Sequence, residues 1–236
     1  MEDLPLPNSY SLLILNSPTD QSIIDRICHG NLSYIWDNSS VVVAADGGAN
    51  LILHSNSNIL ATHPKYPDYC IGDLDSAQTT KLSHGGTDII QRSSQDANDC
   101  TKALTFIQSL SKSPNLVVIG VLGGRFDQVV ANIAALNNAK EFEQIICFSL
   151  YNYLLLLRTG SHRVNRIPHS TNTVGLLPMT GKVSMCTRGL KWDVDGELDL
   201  NKFISSSNKV LGDYFDVEVF SELVWISLDW EYEYKV

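Results

Sequence analysis

The chain has 236 residues, a formal net charge of −9, an apolar fraction of 44% and a charged fraction of 18%. That balance belongs to a folded protein with a sizeable core and excludes a disordered one. The acidic surplus argues against broad binding of nucleic acid or anionic membranes, which need a positive surface, but leaves open a phosphorylated small molecule held by a metal and a few local bases.

In chain order, Ser11 to Leu15 is a short apolar run bounded by Asn16, Ser17 and Pro18, which predicts a first strand. A helix is expected from about Thr19 to His29. Val41 to Ala45 is a β-branched run ending at Asp46-Gly47-Gly48, after which Ala49 to Leu53 opens a helix. Tyr69 to Ile71 leads into Gly72-Asp73-Leu74-Asp75-Ser76, and Asp88 to Ile90 precedes Asp96, whose side chain can cap a helix from Ala97 to about Ser111. Leu116 to Leu122 predicts a strand, Arg125 to Lys140 a helix and Ile145 to Leu150 a last strand. This alternation predicts a Rossmann-like parallel-sheet α/β domain over residues 1–150.

From Tyr153 the pattern changes to short apolar or alternating segments, separated by Gly160, Pro178-Met179-Thr180-Gly181, Gly189, Gly196 and Gly212. Turn signals at that spacing predict a C-terminal all-β domain, a sandwich, over residues 151–236. The five cysteines are odd in number and scattered without a Cys-x-x-Cys pair, so they read as reduced structural thiols. The first residues carry acids and prolines where a signal peptide needs a basic end and an apolar core, and no apolar run approaches the roughly 20 residues of a membrane span. The expectation is a cytoplasmic protein.

Six aspartates, Asp46, Asp73, Asp75, Asp96, Asp99 and Asp127, follow closely on apolar stretches. In a parallel sheet the carboxyl ends of the strands share one edge, so these side chains are expected to converge on one crevice. Asp46-Gly47-Gly48-Ala49-Asn50 is a strand-to-helix turn whose glycines allow close approach of an anion to free amides, or simply an ordinary turn. In Gly72-Asp73-Leu74-Asp75-Ser76 two carboxylates one residue apart suit a hard divalent cation, the alternative being that Asp75 caps the next helix. Asp96, Asp99 and Lys102 recur at three-residue steps on one helix face, offering an acid to the metal and a cation to a phosphate, or a cap and a surface ion pair. Gly123-Gly124-Arg125-Phe126-Asp127-Gln128 opens a helix with a pattern that suits a phosphate, or is a tight turn with Asp127 favouring the helix dipole.

Together these segments resemble the thiamine pyrophosphokinase family. DGGAN at Asp46 to Asn50, GDLDS at Gly72 to Ser76, the D-x-x-D-x-x-K array at Asp96 to Lys102 and GGRFDQ at Gly123 to Gln128 occur in that family's order. Gly189-Leu190-Lys191-Trp192 and Ser205-Ser206-Ser207-Asn208 are similar to its C-terminal GLKW and S-x-S-N signatures. The resemblance implies a homodimer with active sites between subunits, transfer of pyrophosphoryl from ATP to thiamine, and magnesium as cofactor. It implies metal positions at Asp73, Asp75 and Asp99, and nucleotide and substrate positions around Gln95, Lys102, Arg125 and Asp127. By the same resemblance Trp192 stacks on the thiamine pyrimidine, with Ser207 and Asn208 as polar contacts near it and Ser205 in the same binding group. A directly metal-bound carboxylate is a poor base, which turns the expectation of a proton acceptor toward Asp127. Two other readings of the residues stay open, a metal-dependent nucleotide-sugar transferase using the Asp-x-Asp turn and a non-catalytic thiamine or nucleotide sensor.

Overall fold

The computed structural model describes residues 4–58, 63–110, 112–167 and 170–230. Among these, Pro7–Leu150 form one compact unit, and residues 4–6 join 151–230 in a second. Tyr153 Oη donates to the Pro5 carbonyl at 2.6 Å, which ties that N-terminal segment to the second unit.

The first unit alternates strand and helix: β1 (Ser11–Ile14), a 3₁₀ turn (Pro18–Asp20), α1 (Gln21–His29), α2 (Ser33–Asp37), β2 (Val41–Ala45), α3 (Gly48–Asn58), β3 (Tyr69–Gly72), α4 (Thr79–His84), β4 (Asp88–Gln91), α5 (Asp99–Leu110), β5 (Asn115–Ile119), α6 (Phe126–Asn138) and β6 (Gln144–Phe148). Its strands run in the order β6-β5-β1-β2-β3-β4, all parallel. β1 and β2 are buried at every residue, because helices cover both faces and the β-branched runs never have to meet water. The edge strand β4 keeps Asp88 and Gln91 exposed at its ends, which blunts it against further pairing.

The helices dock by spaced apolar residues. α1 buries Ile23, Ile24, Ile27 and Cys28, and α5 buries Cys100, Ala103, Leu104 and Ile107. Each large side chain so buried contributes roughly 1.5–3 kcal/mol. α6 is different: of its residues only Leu136 is buried, while Phe126 and Val130 stand 79% and 49% exposed. Four of the five cysteines are buried, and burial pushes Cys28, Cys70 and Cys100 up to about 12, which suits packing and not thiolate chemistry.

The second unit is antiparallel throughout: β7 (Asn152–Asn165), β8 (Thr173–Leu177), β9 (Lys182–Arg188), β10 (Asp195–Asp199), β11 (Ser205–Lys209) and β12 (Tyr214–Asp229). β12 pairs with β7 along its length, while its other edge carries β9 over Asp216–Val219 and β8 over Trp225–Leu228. A register shift between Val219 and Leu223, with Glu222 at φ +60°, separates the two halves. Gly160, expected as a break between strands, lies inside β7 opposite Val219 at φ +138°. A glycine within a strand marks such a bend, and sequence punctuation alone reads it as a turn.

Several boundaries differ from the sequence expectation. The helix expected from Ala97 starts at Asp99 and ends at Leu110, with Ser111 outside the described residues. Asn98 caps it: its Oδ1 accepts from the Thr101 N–H at 2.8 Å. Asp96, expected as the cap, instead accepts from Ser94 Oγ at 3.0 Å. Both residue types can cap, so only the chain path decides which does. The helix expected from Thr19 is a 3₁₀ turn followed by α1, because Pro18 opens a tighter first turn.

Candidate functional site

The carboxyl ends of β1, β2 and β3 and the starts of α5 and α6 enclose a cleft of about 370 Å³. Four of the acids singled out from sequence line it: Asp46, Asp73, Asp75 and Asp99. Each is placed by a local device. Asp46 ends β2 at φ +40°, with its N–H bonded to the Ile71 carbonyl at 2.9 Å. Its Oδ1 accepts from the Ser76 and Ala77 N–H groups at 3.4 and 3.2 Å, so this buried carboxylate also shapes the loop after β3. Burial is the main cause that holds the Asp46 carboxyl above the usual range, against the lowering effect of its backbone hydrogen bonds.

In the next turn Leu74 takes φ +67°, an uncommon conformation for a branched residue, and the carboxylates of Asp73 and Asp75 flank it. Asp75 Oδ1 accepts from Ser76 Oγ at 2.8 Å, which orients it. The result is a group of three carboxylates, Asp46, Asp73 and Asp75, each offering an oxygen within 4.8 Å of the others. Hard oxygen donors at this spacing, one of them buried, fit a divalent cation such as magnesium.

Asp99, expected as a ligand beside Asp73 and Asp75, lies in the same cleft but is paired: Lys102 Nζ stands 3.0 Å from its Oδ1. The Lys102 side chain is only 7% exposed, so its ammonium is committed to this region. The group of three acids with mutually close oxygens therefore includes Asp46, for which sequence spacing gave no metal role. Gly72 makes the convergence possible, since a Cβ there would lie 2.8 Å from the Asp46 Cβ and 3.3 Å from Asp99 Oδ1.

On the far wall, Arg125 lines the cleft from the turn before α6. It is bound in a fork to Asp127, Nε to Oδ1 at 3.1 Å and Nη2 to Oδ2 at 2.6 Å. The guanidinium hydrogen bonds hold the Asp127 carboxyl below its usual range, and Asp127 is absent from the cleft lining. That geometry is against the proton-acceptor role expected for it, because an acceptor must reach its proton and bind it well. Gly123 and Gly124 take φ +94° and +72°, and Gly123 packs so closely on Thr19 and Ser17 that a Cβ would fall 2.9 Å from Ser17 Oγ and nearer still to Thr19 Oγ1.

The remaining expected positions divide. Gly47 and Gln95 line the cleft, with Gln95 Nε2 3.5 Å from Asp73 Oδ2. Gly48 does not, and packs instead on the end of β1. Asn50 is spent on the loop after β3, donating to the Ser76 carbonyl at 2.8 Å and accepting from the Gln78 N–H at 3.0 Å. Asp96 opens onto a neighbouring groove between α5 and α6. Sequence reasoning missed Asn16, Asn98 and Asn132, whose side chains also line the cleft. The signal for Asn16 was its place just after β1, and that for Asn132 its position one helical turn beyond Gln128.

In the second unit Trp192 is 56% exposed on the loop between β9 and β10, with Lys191 Nζ 4.4 Å from its ring centroid. Asn208 is 1% exposed and bonds the Trp192 backbone at both ends, accepting from its N–H at 3.2 Å and donating to its carbonyl at 2.7 Å. Ser205 Oγ accepts from Asn208 Nδ2 at 3.1 Å, while Ser207 adopts φ +59° in the bulge beside them. Asn208, expected as a polar contact to a ligand, has its carboxamide occupied by protein groups.

Family models of the thiamin pyrophosphokinase catalytic domain and of the thiamin pyrophosphokinase vitamin B1 binding domain match residues 32–148 and 161–224. Thiamine pyrophosphokinase 1 of Oryza sativa subsp. japonica is 32% identical over 214 residues, covering 81% of this chain and 80% of the relative. The chain belongs to the thiamin pyrophosphokinase family. Thiamine pyrophosphokinase of Saccharomyces cerevisiae is 28% identical, with 90% of this chain and 84% of that one covered. The solved structure of thiamin pyrophosphokinase from Candida albicans matches with a TM-score of 0.79 and 25% identity, over 95% of this chain and 90% of that chain. Membership of this family favours a thiamin pyrophosphokinase reading over the nucleotide-sugar transferase and sensor alternatives.

Among the described residues no helix is long and apolar enough to cross a membrane.

Proposed function

We propose that the protein transfers the pyrophosphoryl group of ATP to the hydroxyethyl oxygen of thiamine, giving thiamine diphosphate and AMP. The hydroxyl oxygen forms a bond to the β-phosphorus, the bond from that phosphorus to the α,β-bridging oxygen breaks, and AMP leaves with that oxygen while the hydroxyl proton is released. The observation that carries the reading is one cleft in which Asp46, Asp73 and Asp75 converge opposite Lys102 and Arg125, in a chain of this family. Such transfer depends mainly on positioning and on neutralising charge, and the cleft offers groups for both.

In this reading Asp46, Asp73 and Asp75 hold magnesium, with Asp99 beside them. Bound there, the ion neutralises phosphate charge and polarises the phosphoryl oxygens. Lys102 is oriented by Asp99 toward the polyphosphate, and Arg125 is braced by Asp127 so that its remaining donors meet a phosphate oxygen. Trp192 offers an exposed indole face on which an aromatic cation stacks.

Residues 1–150 act as the ATP- and metal-binding domain and 151–236 as the thiamine-binding and dimerisation domain, a β-sandwich. The working form is a cytoplasmic homodimer with its active sites between subunits, a state favoured by the exposed apolar Phe126 and Val130 on α6. Incubation with ATP, magnesium and thiamine tests the reaction: AMP and thiamine diphosphate should appear together in equal amounts. ADP with thiamine monophosphate, or binding without turnover, would overturn it.

A further inference from the structure

Trp192 presents a problem in physical terms. An indole 56% exposed at the tip of a loop is ordinarily mobile, and a mobile ring must be ordered before it can stack on a ligand. Here its loop is tied from two sides.

From inside, the Asp193 carboxylate closes the loop on itself. Its Oδ1 accepts from the Leu190 N–H at 3.0 Å and from Thr187 Oγ1 at 3.1 Å, and its Oδ2 accepts from the Gly189 N–H at 3.3 Å. Thr187 closes the base, accepting at Oγ1 from the Val194 N–H at 2.8 Å and donating its own N–H to the Val194 carbonyl at 2.8 Å. Gly189 takes φ +101°, which turns the chain into this arrangement.

From outside, Asn208 imitates a neighbouring strand. One carboxamide both accepts from and donates to the backbone of Trp192, as an adjoining peptide group would, and is itself fixed by Ser205 Oγ at 3.1 Å and the Lys209 N–H at 2.8 Å. The Lys191 N–H adds a bond to the Lys209 carbonyl at 2.8 Å. The bulge between Ser205 and Asn208, with Ser207 at φ +59°, turns the Asn208 side chain inward to do this. Every hydrogen bond of Asp193 and Asn208 named here goes to protein, while the indole they flank stays open.

We propose that Asp193 and Asn208 are positioning residues for the aromatic substrate: together they hold Trp192 in its stacking orientation before the ligand arrives. Neither touches the ligand. Their contribution is to binding of the aromatic partner, because the hydrogen bonds of both converge on the backbone around Trp192. The inference rests on the reading of Trp192 as the thiamine platform.

The test is steady-state kinetics on Trp192→Ala, Asp193→Ala, Asp193→Asn and Asn208→Ala, and on Asp193→Ala and Asn208→Ala each combined with Trp192→Ala, varying thiamine and ATP separately. Asp193→Ala and Asn208→Ala should each raise the thiamine KM about five- to tenfold, the scale of one or two hydrogen bonds. The KM for ATP should stay within about twofold of the parent, since a loss of roughly 0.4 kcal/mol or less is expected there. Asp193→Asn, which keeps an acceptor for Leu190, should show a smaller rise. In the Trp192→Ala background neither substitution should add to the thiamine KM.

An unchanged thiamine KM in Asp193→Ala, with Trp192→Ala raised, would sink the clamp and leave the stacking reading intact. An equal rise in the ATP KM would also sink it, since it would mark a general loss of structure. If Trp192→Ala itself leaves the thiamine KM unchanged, the platform reading fails and the clamp with it. Asp193 is exposed, so its variants carry the test even where Asn208→Ala, which empties a buried position, does not fold.

Discussion

Arg125 and Asp127 form a two-pronged ion pair across the first turn of α6, at 3.1 and 2.6 Å, with both side chains more than half exposed. The pair restrains a flexible guanidinium beside the cleft, and it engages both oxygens of the Asp127 carboxylate, which disfavours their use as a base. Asp127→Asn should therefore lower kcat less than about tenfold while raising the KM for ATP. Removal of a general base typically costs 10²–10⁴-fold, so a loss beyond about 100-fold, insensitive to ATP concentration, would restore the base role.

Three carboxylates with oxygens within 4.8 Å of one another repel unless a cation lies among them. Asp73→Asn and Asp75→Asn should each abolish most activity. Without metal, the same variants should melt at or above the parent temperature, because repulsion is relieved. Magnesium in excess should raise the parent Tm and leave the variants unmoved. A Tm of Asp75→Asn that responds to magnesium as the parent does would remove this residue from the metal group.

Neighbouring glycines in the turn after β2 should respond differently to one added methyl group. At Gly48 a Cβ would lie 2.5 Å from the Ile14 carbonyl oxygen, a backbone atom of the central strand that cannot move aside. At Gly47 it would lie 2.5 Å from Nδ2 of the Asn16 side chain. Gly48→Ala should lose about 2–3 kcal/mol of stability. Gly47→Ala should lose less, yet raise the KM for ATP by displacing Asn16 in the cleft. Chemical denaturation of both variants checks the order.

Asp20, 2% exposed at the end of the 3₁₀ turn after β1, accepts from the Leu150 N–H at 3.3 Å. Burial pushes its carboxyl from 3.8 up to about 6. The folded state thus favours the protonated acid, and its contribution is fully present below 3.8 and lost as pH rises through 6. Asp20→Asn should consequently stabilise the protein above pH 6, by at most roughly 3 kcal/mol at 1.36 kcal/mol per pKa unit, and make little difference near pH 4. Melting curves across that interval would refute this if the gain were independent of pH.

The alternation of strands and helices in the first unit, and the change to β strands after it, were legible in the sequence because periodicity and turn residues act locally, but β7 and β12 run to 14 and 16 residues where short segments were expected. Helix ends were less so. Asp96 and Asn98 are both good caps, and the choice between them depends on where β4 delivers the chain. Gly160 read as a turn because nothing local distinguishes a turn glycine from one that relieves a bend between paired strands.

Sequence by itself determined that acids, glycines and bases would gather at one edge of a parallel sheet, since every β-to-α turn of such a sheet opens on the same side. Only the tertiary structure decided their company: Asp46 beside Asp73 and Asp75, Asp99 with Lys102, Asp127 with Arg125, and Asn208 behind Trp192. These pairings depend on distances of a few ångströms between segments far apart in the chain. Motif spacing carries no such distances; packing sets them.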